Sequence, residues 1–437
     1  MTDKHIAPQI KYVSYESWNS YQLKNDLISL QVVPDIGGRI SQFSLGEKDF
    51  FYVNPLHAGV TSPVTGLSKD NGHLNFGGDK IWLAPQGWDS EEQWPGPPCP
   101  VLDGKPYNAI ANEDDTSILL TSGDDHRSGI RLSRKVKIFP NSTRVSIESS
   151  MLNIGTKPRR WGIWAHTQLD ATNGDEEGYN ELMRAWCPIN PNSQFKRGYG
   201  ILFGEEDNPS WITHEDTGLI QVDYFYKVGK IGLDSPNGWV ATVDGKDGKV
   251  FVQCFEFEED IEYPNGASVE FWHNGTGQIN AYNDLIDMPD DPVANPYIFE
   301  SEVVSPMALM NPGEKYTYFY DWYSCSIGGD YPVIDCTEAG VTSEPLMARR
   351  NGAEVDISGR FGVFSCGKLE WCVYDDAGNM IQNGLIEDCV SPINAIVINK
   401  TITAPLSASK LVISLKQDHV GESIVLASCK VDQEKYL

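Results

Sequence analysis

The stretch Arg160 to Asp170, RWGIWAHTQLD, alternates with a period of two, as does a strand whose successive side chains face opposite sides of a sheet. Trp161, Ile163, Ala165, Thr167 and Leu169 fall on one face, which suits a sheet interior. Trp164, His166 and Gln168 fall on the other: an aromatic ring, an imidazole and an amide, a set that suits the floor of a sugar site. The same period recurs along most of the chain. Ile28, Leu30 and Val32 alternate before a corner at Pro34 to Gly38, and Arg39 to Phe43 resumes the pattern. Further strands are predicted at Ile130 to Ile138, Val145 to Met151, Val222 to Val228, Trp239 to Val243, Val250 to Phe257, Ala267 to Trp272, Tyr297 to Val304 and Tyr316 to Tyr320. One short helix is predicted at about Tyr179 to Ala185. From Leu56 to about Asp115 the chain is rich in Gly, Pro, Asn and Trp and lacks a period, as binding loops do. Trp82, Trp88 and Trp94 in that segment need packing partners.

The pattern changes near Ser326 to Glu344, where Gly328-Gly329 and Pro332 interrupt it. Beyond, short strands alternate with polar turns, the habit of a small β-sandwich. Two all-β units are therefore expected, residues 1–327 and an Ig-like sandwich over 345–437.

Composition narrows the partners. A formal net charge of −27 sets a field that repels phosphates, which argues against nucleic acid and anionic membranes. The nine cysteines show no C-x-x-C and no zinc spacing, so reduced thiols and no metal or cofactor are expected. The first residues, MTDKHIAPQI, lack an apolar signal core, and no apolar run is long enough to span a bilayer, so a cytoplasmic protein is expected.

Two further stretches can carry chemistry. In YIFESEVVSP, Glu300 and Glu302 share one strand face, and two adjacent carboxylates make one of them hold its proton more tightly unless a cation intervenes. In NGHLNFGGDKIWLAPQ, Lys80 and Trp82 follow the glycine pair Gly77-Gly78. Arg39 follows Gly37-Gly38, and Lys227 and Lys230 flank Gly229 in YKVGKIG. Arg39, Lys80 and Lys227 are expected to converge on one face and to favour an anionic ligand.

In order along the chain, GGRI (Gly37 to Ile40), GGDKIW (Gly77 to Trp82), W-x-H (Trp164 to His166) and the late E-x-E strand (Glu300 to Glu302) resemble the galactose mutarotase-like, or aldose 1-epimerase-like, superfamily. Together with Ser305-Pro306 and Asn311-Pro312-Gly313 they resemble its DUF4380 branch. The resemblance spans roughly Trp18 to Tyr323. It implies a β-supersandwich whose concave face binds a mono- or oligosaccharide, and a sugar isomerase or epimerase. By position it makes His166 the general acid on the ring oxygen and Glu300 the base on the anomeric hydroxyl, approaching from opposite sides of a bound ring. Arg39, Lys80, Trp82, Trp164, Gln168, Lys227 and Glu302 are then substrate-binding, with Trp82 and Trp164 as stacking plates. Two positions depart from the epimerase pattern: Ala165 precedes His166, and Phe76 stands where those enzymes carry a second histidine. The alternatives are a non-catalytic sugar-binding protein and a glycan lyase or hydrolase on the same fold.

Overall fold

A computed structural model describes residues 7–62, 73–87, 90–97, 99–114, 116–174, 176–281, 284–418, 421 and 423–432. The chain is all-β. A twelve-stranded antiparallel sheet runs from Gln9–Tyr15 at one edge, through Arg39–Leu45, Asp79–Ala84, Arg159–Asp170, Ile298–Val304, Val269–His273 and Gly229–Leu233, to Gly200–Phe203. A ten-stranded sheet, with Lys249–Phe255, Lys315–Ser326, Val145–Asn153 and Ile130–Ile138 at its middle, stacks on it. Period two explains why: each central strand turns its apolar set to the other sheet. Phe43 and Phe51 of the first layer meet Phe251 and Trp322 of the second, with ring centroids 5.4–6.1 Å apart. Trp161, Ile163, Ala165 and Leu169 join that core, each at most 1% exposed.

The segment predicted as a short helix at Tyr179 to Ala185 is not one. Met183–Pro188 is a strand, held between Leu219–Asp223 and Trp239–Asp244. Arg184, Ala185 and Trp186 pair with both neighbours, and those ladder bonds outweigh a weak local preference.

The C-terminal part forms a third sheet of eight strands. Its order runs from Met380–Val390 through Gly367–Tyr374, Lys410–Gln417, Ser423–Asp432, Gly340–Asn351 and Glu354–Val363 to Ile396–Thr403. It wraps a separate core that includes Phe361, Leu369, Trp371, Leu411, Ile413 and Leu415. A second apolar cluster joins it to the ten-stranded sheet, where Tyr323 stacks on Phe364 at 4.4 Å and Val333 and Val341 pack beside Trp239. Between the units, Gly328, Asp330, Asp335 and Glu338 are exposed. Limited proteolysis should nick within 328–338, and the docked cluster should keep both products together on a sizing column. Cutting that falls mainly within Trp239–Asp244 or Ile298–Val304 would refute the boundary.

His273 is wholly buried beside Phe299, with no hydrogen-bond partner for either ring nitrogen among the described residues. Burial pushes its pKa from 6.5 down to about 3. As pH falls below 6.5 the unfolded chain binds this proton and the folded chain does not. Folding should weaken by about 1.4 kcal/mol per pH unit from this residue down to the folded value. His273→Leu should flatten that acid limb in urea titrations at stepped pH.

Candidate functional site

The site lies on the outer face of the twelve-stranded sheet, opposite the core. Register builds it. His166 sits across from Lys80 on one side and Glu302 on the other, and Gln168 across from Glu300. The ladder continues with Glu270 beside Glu302, Trp272 beside Glu300, and Lys230 beside Trp272. Five strands distant in sequence thus bring Lys80, His166, Glu300, Glu302, Glu270 and Lys230 onto one face. Each of the six is at most 6% exposed.

Buried charges need partners. Nε2 of His166 is 2.8 Å from Oε2 of Glu300 and 3.7 Å from Oε1 of Glu302. The Gln168 amide donates to Oε1 of Glu300 at 2.7 Å. Oε2 of Glu302 accepts from the Trp164 indole at 2.5 Å and from Lys230 at 2.8 Å. Lys230 also reaches Glu270 at 2.7 Å. Four polar atoms of the cluster have no hydrogen-bond partner among the described residues: Lys80 Nζ, His166 Nδ1, Gln168 Oε1 and Glu302 Oε1. Of these, Nζ of Lys80 lies over the Trp82 ring, 4.1 Å from its centroid.

Electrostatics follow from burial. Desolvation, with Lys80 adding repulsion, holds the His166 pKa well below 6.5, so the ring is neutral. Nε2 stands 2.8 Å from Glu300, and Nδ1 has no hydrogen-bond partner among the described residues. Desolvation and the neighbouring Arg39 bring Lys80 down to about 7. Desolvation raises Glu302 to about 7 against the pull of Lys230, and raises Glu300 as well. Lys230 goes the other way: burial alone would lower it, but Glu270 and Glu302 outweigh burial and keep it charged.

The sequence-predicted residues divide. Lys80, Trp82, Trp164, His166, Gln168, Glu300 and Glu302 come together. Arg39 reaches the margin of the site, with its guanidinium 2.9 Å from Asp103, whose Oδ1 also accepts from the Trp82 indole at 3.0 Å. Lys227 does not join them; its ammonium is 2.7 Å from Glu205. His166 and Glu300 are in direct contact, so no sugar ring fits between them, contrary to the expectation of opposed acid and base. The tryptophans are not open plates. Trp82 lies between Trp94 at 5.0 Å and His166 at 4.7 Å, and only 3% of it is exposed. Phe76 packs on Trp18 and His57, away from the cluster. Trp88 lies outside the described residues.

The glycine pairs serve this geometry. Gly37 has φ +77°, and a Cβ there would stand 2.2 Å from the backbone oxygen of Asp103. Only glycine lets the corner press against the loop that carries Asp103. Sequence reasoning missed Lys230 and Glu270 as site members, together with Asp103. On the Lys230 side the cluster borders a cavity that Trp164, Lys230 and Glu270 line and Lys80, His166, Glu300 and Glu302 do not. The cavity, about 150 Å³, is also lined by Phe203, Asn265 and Val304. Asn265 also lines an open groove of about 860 Å³ that carries Gln93, Arg160 and Glu262.

Residues 19–175 match the model of DUF4380, a domain of unknown function. The chain carries a DUF4380 domain. That domain supplies Arg39, Lys80, Trp82, Trp164, His166 and Gln168, while both glutamates, Lys230 and Glu270 come from beyond it. A comparison with curated protein sequences gave no match. Among solved structures, a galactose mutarotase-like protein from Lactobacillus casei is similar at 7% identity, with 70% of this chain and 99% of that one covered and a TM-score of 0.44. A galactose mutarotase-like protein from Clostridium acetobutylicum gives 10% identity, coverage of 73% and 99%, and a TM-score of 0.43. A TPR-domain containing protein from Parabacteroides distasonis gives 13% identity and a TM-score of 0.45 over 72% of this chain, which spans about half (48%) of that protein's length. These are likenesses of fold, and no residue's role passes from them.

Proposed function

We propose that the DUF4380 domain and the strands that complete its sheet form a sugar site that moves protons at the anomeric centre of an aldose, an isomerase of mutarotase type. One observation supports it above the rest. Two buried, unpartnered groups, Lys80 Nζ and His166 Nδ1, stand side by side in register over Trp82. Opening a hemiacetal needs one proton given to the ring oxygen and one taken from the anomeric hydroxyl, by groups positioned for it. Lys80 can give and His166 Nδ1 can take. In this reading the imidazole carries its proton on Nε2, which faces Glu300 at 2.8 Å, as a carboxylate orients the histidine of a hydrolase triad, and Gln168 donates to Glu300. The small cavity at Trp164 and Lys230 lies below the roughly 300–1,000 Å³ of drug-sized pockets, which suits a single ring.

Saturation-transfer NMR on reducing sugars measures anomer exchange directly. Exchange speeded by the protein is expected; binding without any conversion would favour a non-catalytic sugar-binding protein. Because Arg39 and Lys227 have carboxylate partners and Lys80 has none among the described residues, an anionic sugar should bind better than its neutral counterpart. That advantage should shrink with salt and vanish in Lys80→Met. Equal affinity of the native protein for glucuronate and glucose would count against it.

A further inference from the structure

We infer that His166, Glu300 and Glu302 form a binding site for one divalent transition-metal ion. One donor atom from each lies within 4.8 Å of the others, and all three residues are buried. The arrangement around them is that of a ligand set already oriented. Each carboxylate has one oxygen fixed from behind: Oε1 of Glu300 by Gln168, and Oε2 of Glu302 by Trp164 and Lys230. The other oxygen of each faces Nε2 of His166, at 2.8 and 3.7 Å. Oε1 of Glu302, on a residue with no exposed surface, has no hydrogen-bond partner among the described residues. Metal sites use such outer donors to hold their ligands.

The distances fit a small ion. Ligands about 2.0–2.2 Å from a metal lie roughly 3 Å or a little more from each other, and the two spacings from Nε2, 2.8 and 3.7 Å, bracket that value. Formal charge points the same way, since on this face the three carboxylates of Glu270, Glu300 and Glu302 meet the two ammonium groups of Lys80 and Lys230. One imidazole with two carboxylates suits zinc, manganese, iron(II) or cobalt. Binding would move the imidazole proton from Nε2 to Nδ1, so that Nδ1 would present a donor instead of an acceptor. Metal occupancy and the base role of His166 would then exclude one another.

The site is independent of which ligand the cavity takes, and its test needs no sugar. The full chain, stripped with chelator and desalted, is titrated with cobalt(II) and followed by visible absorption, with manganese(II) and zinc(II) titrated by calorimetry. One ion per chain is expected. Affinity should fall about ten-fold or more in His166→Gln and in Glu302→Gln, and about 10–100-fold in Trp164→Phe, which removes only an outer donor. Absence of saturable binding at millimolar metal, or binding unchanged in folded His166→Gln, overturns the site. Should the variants not fold, pulsed EPR on the manganese-loaded native chain decides: nitrogen coupling from an imidazole is expected, and a saturable site without it overturns the assignment. Anomer exchange by the stripped protein is a separate readout. Loss of the metal reading leaves the sugar reading intact, and the reverse also holds. If both hold, added metal should inhibit exchange.

Discussion

His166→Gln should reduce anomer exchange about 10²–10⁴-fold, the usual worth of a positioned general acid or base, while sugar affinity falls far less. Glutamine keeps a polar amide toward Glu300 in place of the imidazole that stands 2.8 Å from it. What it lacks is a nitrogen able to take a proton. Lys80→Met should give a similar loss by removing the proton donor, since the thioether keeps the packing over Trp82. Glu300→Gln tests the orienting role. It keeps the shape but turns an acceptor of the Nε2 proton into a group that can also donate, and so frees the ring to adopt the other tautomer. Its loss should be smaller than that of His166→Gln. A loss equal to or greater than the His166 effect, with the fold intact, would move the base role to Glu300. Turnover unchanged in both His166→Gln and Lys80→Met would remove the proposed chemistry altogether.

Much of this site was legible in the sequence because a strand's period is two whatever the fold. Trp164, His166 and Gln168 had to share a face, and so did Glu300 and Glu302. Strand order was not legible. That the His166 strand lies between the Lys80 strand and the glutamate strand is what puts His166 against Glu300, and no local pattern carries it. Without it the two residues read as opposed walls of a groove instead of a pair in contact. The same gap hid Lys230. Within YKVGKIG, Lys227 and Lys230 look alike. Lys230 falls on a ladder position facing the site, whereas Lys227 sits before that strand begins and turns to Glu205. Asp103 was hidden differently, since it comes from an aperiodic loop and its role depends on where the chain returns. The helix expected at Tyr179 to Ala185 failed because the pairing strands on both flanks are remote in sequence.

Arg134→Met should cost the fold about 3–5 kcal/mol, the usual penalty for leaving one member of a buried ion pair alone. On its inner face, the strand that carries Lys80 begins with Asp79, fully buried and paired with Arg134 from the opposite sheet. Thr167 donates to the same carboxylate at 2.6 Å, and Arg134 donates to the Tyr320 hydroxyl at 3.1 Å. Gln253 ties Thr167 to Ser301 of the glutamate strand, at 3.2 and 2.7 Å. This polar knot therefore pins, from inside the core, the three strands whose outer faces carry Lys80, His166 and Glu300. Methionine fills much of the arginine's volume, so the cost arises from the stranded carboxylate more than from a cavity. The double substitution Asp79→Leu, Arg134→Met should accordingly recover much of the loss in urea unfolding, because replacing both members of a buried pair by apolar groups is often near neutral. Function should not recover with stability. Without the carboxylate, Thr167 loses its acceptor, and the register between Lys80 and His166 rests on ladder bonds alone. A double variant as stable as the native chain and equally active in anomer exchange would show that the knot serves stability only, and that the outer face keeps its geometry without it.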